Sequence, residues 1–343
     1  MKFVWSPKHA RHRPRTFLLR GRLAPSPERP ERVDRLKAAA LASGLEPVEA
    51  GRFARTHVLT VHHPDYLAFL ETAHARWRML GEAAPEVIPN VHPQRRPGRR
   101  PRHVVGQAGW YLADTACPIG EGTFEAAIAA VETALTAADL LLAGEREAYA
   151  LCRPPGHHAF PGMAGGFCYL ANTAIAAEYL RRRKGRVAVL DIDVHHGNGT
   201  QEVFYRRRDV LTLSIHADPD AYYPFFWGYA EERGAGAGEG ANRNWPLPVG
   251  ATEDLWLGAL GEALREVERF APAVLVVALG LDVHEEDPLR GMRIGLEGLR
   301  AAGRRIGTRP EPVLLVQEGG YPQPALGACL GAFLEGFLAA RTA

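Results

Sequence analysis

Hydrophobic and polar positions change rhythm at about residue 123 of the chain. Beyond that point, short apolar runs alternate with longer stretches whose apolar positions recur at helical spacing. Thr123–Leu142, Gly166–Arg183, Thr200–Tyr205, Glu253–Phe270, Leu296–Gly307 and Gln323–Ala340 read as helices. Ala148–Cys152, Arg186–Asp191, Val210–Ile215, Ala273–Leu279 and Val313–Val316 read as strands. These strands are apolar at nearly every position rather than at every second one. That pattern predicts a mostly parallel sheet covered by helices on both faces.

Before residue 123 proline breaks the pattern. Met1–Trp5 reads as an opening strand, Pro30–Ser43 as a helix closed by Gly44, and Pro64–Ala73 as a second helix. Gly81–Pro101, rich in Pro, Gly and Arg, reads as a long loop. The expected fold is a single α/β domain over 1–343, enlarged by an insertion at about 77–103. No internal repeat is present. Gly234–Gly240 (GAGAGEG) mimics a phosphate loop but does not join a strand to a helix, so it reads as a surface loop.

The tips of the strands are unlike the strands. Ala148–Cys152 is followed by RPPGHH, Arg186–Leu190 by DIDVHHGNG, and Val210–Leu213 by SIHADP. Ala273–Leu279 is followed by GLDVHEEDP and Val313–Val316 by QEGGY. Ligands of wound parallel sheets bind beyond the carboxyl ends of the strands, so the active site is expected there. In Asp191–His195, alternation along an extended strand sends Asp191, Asp193 and His195 to one face and Ile192 and Val194 to the other. Two carboxylates and an imidazole gathered at a sheet edge call for a cation. Asp282, on another tip, joins Asp193 and His195 as a three-ligand set, which leaves a coordination position free for water. Donors without thiolate suit zinc, with Fe(II) or Co(II) as substitutes. His157 and His158 follow Pro154-Pro155-Gly156 and supply a candidate general base and acid. Tyr321, after Gly319-Gly320, supplies a phenol to hydrogen-bond an oxyanion.

Composition narrows the setting. The 14 histidines outnumber the cysteines Cys117, Cys152, Cys168 and Cys329, and no C-x-x-C occurs. Few scattered cysteines fit a reducing cytoplasm. The net charge of +2 argues against a dedicated nucleic-acid binder. The basic stretch Arg95–Arg102 reads as a solvated loop. The N-terminus lacks the apolar core of a signal peptide, and the longest apolar run, Ala273–Leu281, is too short to span a membrane.

RPPGHH, DIDVHHGNGTQ, the LD of GLDVHEEDP and EGGY stand in one order and spacing, and with them the chain resembles the zinc-dependent histone deacetylase superfamily. VHHPDYLAFLETA, FFWGYAEERGAGAGEGAN and the Trp77–His103 insertion resemble its bacterial acetylpolyamine amidohydrolase branch. The resemblance implies an arginase/deacetylase-like fold and a zinc amidohydrolase that removes acetyl or short acyl groups from amines. It implies Asp193, His195 and Asp282 as zinc ligands, His158 as general base and acid, His157 as its electrostatic partner, and Tyr321 as carbonyl polariser. Asp191 is implied to hold His157 and to join a potassium site with Ser214 and the backbone of Asp193, His195 and Ile215. Carbonyls of Phe204, Arg207 and Val210 are implied at a second potassium site. Asn198 is implied to orient His158. Phe167 and Phe226 are expected to flank an acyl tunnel, with Leu289 at its rim and Gly319 and Gly320 in its wall. His196 is expected to be a buried structural histidine. The insertion is expected to pair two subunits as a homodimer and to restrict access to slender substrates.

Two departures bear on the substrate. Many relatives carry an acid directly before the Cys-Pro of TACPIGEGTF, where this chain has Ala116, with Asp114 two residues earlier. Ala171 replaces a common asparagine, and His284, Glu285 and Glu286 are the other candidates for the mouth. A peptide acetyl-lysine deacetylase is the alternative within this chemistry. A silent acyl-ligand sensor is the alternative outside it, and would be expected to lack one of the catalytic groups.

Overall fold

The computed structural model describes residues 1–93 and 98–342. In chain order, the elements are β1 (Lys2–Trp5), β2 (Thr16–Leu19), β3 (Arg22–Pro25), α1 (Glu31–Ala42), β4 (Glu46–Glu49), α2 (Pro64–Arg78), α3 (Val104–Tyr111) and α4 (Thr123–Leu142). They continue with β5 (Glu147–Ala150), α5 (Asn172–Lys184), β6 (Val187–Asp191), α6 (Asn198–Phe204), β7 (Val210–Ala217), β8 (Asn242–Leu247) and β9 (Ala251–Thr252). The chain ends with α7 (Glu253–Phe270), β10 (Val274–Leu279), β11 (Met292–Arg293), α8 (Leu296–Gly307), β12 (Val313–Gln317) and α9 (Leu326–Thr342).

Eight strands form one sheet in the order β4-β1-β5-β12-β10-β6-β7-β8. Every neighbouring pair in it is parallel. Side-chain alternation divides the core in two. Val4, Ala150, Val189, Val276 and Leu314 pack with apolar residues of α2, α3, α4 and α5. Phe3, Tyr149, Leu190, Val277 and Leu315 pack with those of α1, α7, α8 and α9. Both faces of the central strands are therefore dry, which is why their sequences read as unbroken apolar runs. This is the single α/β domain with a central parallel sheet that the periodicity predicts.

The strand order matters for chemistry. β5, β12, β10, β6 and β7 are consecutive neighbours, so the five polar tips lie side by side along one sheet edge. Those tips are far apart in sequence and meet only because the sheet is parallel.

Some boundaries differ from the pattern-based reading. The helix expected over Gly166–Arg183 begins only at Asn172. Gly166 and Phe167 have φ of 51° and 68°, which no α-helix accommodates, so the preceding segment is a loop. α2 runs on to Arg78, into the expected insertion. The rest of that insertion contains no helix or strand among its described residues up to His103. Gln94–Pro97, part of the basic Arg95–Arg102 stretch, lies outside the described residues. Among the described residues, no helix is long and apolar enough to cross a membrane.

Candidate metal centre and active site

β6 ends at Asp191, and the chain then bends through Ile192–His195 instead of remaining extended. Two carboxylates make the bend. Asp191 Oδ1 accepts the N–H of Asp193 at 3.0 Å, and Asp193 Oδ1 accepts the N–H of His195 at 2.9 Å. Such side-chain turns substitute for the ladder hydrogen bonds the strand no longer makes. The separation of faces survives: Ile192 and Val194 are fully buried in the apolar core.

Asp282, just past β10, completes a cluster with Asp193 and His195. One donor atom from each lies within 4.8 Å of the others, and all three residues are buried. Asp193 and Asp282 lie 3.0 and 3.3 Å from His195 Nδ1. Asp282 Oδ2 is buried without a hydrogen bond, while Oδ1 accepts the Val194 N–H at 3.1 Å. Gly319 N–H donates to Asp193 Oδ2 at 2.8 Å. A Cβ on Gly319 would stand 2.1 Å from Asp282 Oδ2, so only glycine lets the last strand tip approach this closely.

The electrostatics ask for positive charge. Burial alone would depress His195, but the Asp193 and Asp282 carboxylates outweigh it and push it up to about 9. Burial, reinforced by Asp193, raises Asp282. An orphaned carboxylate oxygen, a second carboxylate and an imidazole in a dry pocket are the donor set of a divalent cation. The residues therefore fit a metal ion.

The two adjacent histidines differ. His157 Nδ1 sits 2.9 Å from Asp191 Oδ2 and its Nε2 3.8 Å from Asp193 Oδ1. Burial opposes its charge, yet Asp193, Asp191 and Glu318 together hold it well above the usual histidine value. His158 Nδ1 meets the amide oxygen of Asn198, and its burial beside His157 and His195 pushes it well below that value. The rings of His157 and His158 are 4.0 Å apart, and those of His158 and His195 are 5.6 Å apart. His158 is thus held toward its neutral form beside the Asp193–His195–Asp282 cluster, where a neutral imidazole can accept a proton.

Tyr321 is 3% exposed, and burial pushes its hydroxyl well above the usual phenol value, so it is held as a donor. The Arg32 guanidinium lies 4.8 Å from its ring centre. Arg32 donates to the carbonyls of Gly320, at 2.6 Å, and of Glu318. Behind it lies a buried network that the sequence reading did not assign. Glu28, 0% exposed, pairs with Arg32 at 2.7 Å and with Arg153 at 2.8 Å.

Glu318 was likewise unassigned, although EGGY displays it. Its Oε2 accepts the N–H groups of Gly156 and His157 at 2.6 and 3.0 Å, and its Oε1 accepts the Thr173 hydroxyl at 2.6 Å. It clamps the histidine turn to the end of β12. Burial pushes its carboxyl up to about 7.

An aromatic collar surrounds the cluster. Phe167 meets Tyr321 edge to face at 5.5 Å. Phe226, the expected partner wall, is 82% exposed. The rings of its turn that touch the histidines are Tyr222, stacked on His195 at 5.2 Å, and Tyr223, edge-on to His158 at 5.0 Å. A dense run of aromatics (YYPFFW) carried the signal without saying which rings face inward. Leu289 is half-buried, and its carbonyl accepts the Tyr222 hydroxyl at 2.7 Å.

Of the other expected ligands, Ser214 and Ile215 lie toward the carboxyl end of β7, whereas Phe204 and Arg207 lead into Val210 at the opposite end of the sheet, where Val210 pairs with Val187. Ser214 pairs in register with Asp191, and its hydroxyl is 2.8 Å from His216 Nδ1. Ile215, Phe204 and Val210 are buried; the Phe204 carbonyl accepts the Arg207 N–H at 2.9 Å. His196 is buried with Nε2 3.1 Å from Gln201 Oε1. A cleft of about 1060 Å³ lined by Arg13, Arg15, Arg29 and Arg78 shares no residue with this site, so the chemistry is located by donors rather than by concavity.

Comparison with known proteins agrees with the geometry. The model of the histone deacetylase domain matches residues 26–337. An acetylpolyamine amidohydrolase of Burkholderia pseudomallei is 47% identical over 99% of this chain and 100% of its own length. Acetylpolyamine amidohydrolase 1 of Pseudomonas aeruginosa is 42% identical over 98% of this chain and 99% of its own. The crystal structure of an acetylpolyamine aminohydrolase from B. pseudomallei superposes with a TM-score of 0.97 at 45% identity, covering 99% of both chains.

Proposed function

Because the chain belongs to the histone deacetylase domain family, we propose that it is a zinc-dependent amidohydrolase that deacetylates N-acetylpolyamines to acetate and free amines. The observation that carries this reading is the buried Asp193–His195–Asp282 cluster faced by the neutral His158. The full-length similarity to acetylpolyamine amidohydrolases supports the substrate class.

Asp193, His195 and Asp282 would hold the zinc ion, which lowers the pKa of water and polarises an amide carbonyl. The chain's own groups do the rest. Asn198 accepts the Nδ1–H of His158, which leaves the Nε2 lone pair free to take the proton of the attacking water. His158 then returns that proton to the departing amine. His157, held positive by its carboxylates, keeps His158 from gaining a proton prematurely. Tyr321, its proton retained, donates a hydrogen bond to the developing oxyanion. Phe167, Tyr222 and Tyr223 exclude water and admit only a slender chain.

The reading extends to structural potassium at Asp191, Ser214 and Ile215, and at the carbonyls of Phe204, Arg207 and Val210. It also includes a homodimer through the 77–103 insertion, where Met79 is 84% exposed, and a cytoplasmic location, in keeping with four unpaired cysteines.

The deciding experiment assays acetylputrescine, acetylspermidine and an acetyl-lysine peptide with and without chelator. The expected result is chelator-sensitive hydrolysis of the acetylpolyamines. Activity indifferent to metal removal would overturn the mechanism, and a preference for the peptide would overturn the substrate.

A further inference from the structure

Asp114 is the acid nearest to the position where relatives place a substrate-binding carboxylate, but its oxygens are already engaged. Oδ2 accepts the Tyr223 hydroxyl at 2.7 Å and the Gly166 N–H at 3.0 Å. Oδ1 accepts the Ala116 N–H at 2.8 Å. It forms no ion pair with Arg, Lys or His among the described residues.

Both hydrogen bonds on Oδ2 reach the collar, one at Tyr223 and one at the loop that carries Phe167. Tyr223 stands edge-on to His158, with an interplanar angle of 89°. Gly166 leads into Phe167, whose ring packs between Tyr321 and Phe17, at 5.5 and 5.6 Å. Phe167 has φ of 68°, a conformation that a bulky residue keeps only where its surroundings over-determine it. The Asp114–Gly166 bond is one such constraint, and the Gly165–Cys168 pair of backbone bonds is another. Space is short as well: a Cβ on Gly166 would stand 2.4 Å from His158 Cδ2 and 2.9 Å from Tyr223 Cε1. Loop, tyrosine and catalytic histidine interlock, and one carboxylate on a third segment ties loop and tyrosine together.

We propose that Asp114 is a positioning residue that sets the bore of the approach to the metal cluster, so that the site selects its acyl amine by width and not by a charge at Asp114. This rests on the amidohydrolase reading above. The substrate class it implies is an unbranched short-chain N-acyl amine whose distal ammonium is not met by Asp114. Charge-assisted bonds such as those on Asp114 are the strong ones, and losing two of them frees both walls.

The test compares wild type with Asp114→Ala, Asp114→Asn and Tyr223→Phe. Three substrates separate width from charge: acetylputrescine, neutral N-butylacetamide of the same width, and the bulkier N-tert-butylacetamide, branched beside the amide nitrogen. Asp114→Ala is expected to raise KM for both slender substrates about tenfold, with kcat falling less, the loss expected for hydrogen bonds to a charged group. The slender-to-bulky ratio of kcat/KM should fall with it. Asp114→Asn, which keeps an acceptor, should recover most of the loss. Tyr223→Phe, which keeps the ring, should move the same way by less and carries the test if the alanine variant does not fold. An unchanged slender-to-bulky ratio overturns the proposal. So does a KM rise confined to acetylputrescine, which would make Asp114 the charge acceptor. If wild type hydrolyses none of the three, the amidohydrolase reading falls. Calorimetric titration of the same proteins with straight and branched alkyl hydroxamates still reads the bore, and equal selectivity in wild type and Asp114→Ala would then overturn it.

Discussion

The Nδ1 atom of His158 lies 2.7 Å from the side-chain oxygen of Asn198, a neutral partner, whereas a carboxylate backs the adjacent His157. This difference divides the labour between the pair. Replacing Asn198 with Asp places a negative charge behind His158. An opposite charge at contact raises a histidine pKa by about one unit or more. The acid limb of the kcat/KM profile should therefore move upward by about that amount. An unmoved limb would show that another group titrates there.

On the proposed mechanism Tyr321 donates only where charge develops. Tyr321→Phe should lower kcat by roughly 100-fold to 1000-fold, the usual cost of one oxyanion donor, and leave KM nearly unchanged. Steady-state kinetics on acetylputrescine give the answer. A KM effect with normal kcat would place the hydroxyl in ground-state binding instead.

Metal removal should cost stability as well as activity. Without a cation, Asp193 and Asp282 are buried against each other, both 0% exposed. A ligand held at 1000 times its Kd stabilises by about 4 kcal/mol, so dialysis against chelator should lower the melting temperature by several degrees. Zinc should restore it. Identical melting curves before and after would mean that no metal occupies these residues.

The buried Glu28 pairs predict acid sensitivity. Burial opposes the charge of Glu28, but Arg153 and Arg32 override it and hold the carboxyl down at about 2. Its contribution is present above the unfolded value of about 4.5 and is lost as pH falls through about 2. Burial pushes His12 down to about 3 and His62 down to about 4. Below about 6.5 the unfolded chain takes up those protons first, so stability falls with pH in that window too, by up to about 2 kcal/mol per histidine at pH 5. Urea midpoints should therefore drop steadily from pH 7 to 4. Glu28→Gln, which leaves two buried guanidinium groups short of a counter-charge, should cost about 3–5 kcal/mol at pH 7. A flat profile contradicts this account.

The proposed homodimer is tested at the insertion. Met79 and Val91 are 84% and 55% exposed. Changing both to Asp should yield a monomer by light scattering, while the wild type runs at twice the 37.5 kDa chain mass. A monomeric wild type refutes the pairing.

The core of the sheet was legible because its strands are buried on both faces, and such strands announce themselves as continuous apolar runs. β4 (EPVE) and β8 (NRNWPL) did not, because edge strands carry polar residues and proline. The metal cluster was legible because alternation and strand-end placement are local rules. The collar was not. Which ring of the turn meets His158 depends on long-range contacts such as the Tyr223–Asp114 hydrogen bond, which spans 109 positions. Glu318 escaped for the same reason, since its hydrogen-bond partners Gly156 and His157 lie 162 and 161 positions earlier.

The ties from Arg32 to Gly320 and Glu318 span 288 and 286 positions. They carry a consequence for synthesis. Until the last strand has left the ribosome, the guanidinium of Arg32 has neither carbonyl to receive it, and Tyr321 is absent from the site. A nascent chain can bury its first helix only provisionally, and it has no hydrolytic activity until β12 and Tyr321 have emerged. Contacts of such sequence separation also slow folding, so the site is expected to assemble late, after its first helix has waited for its last strand.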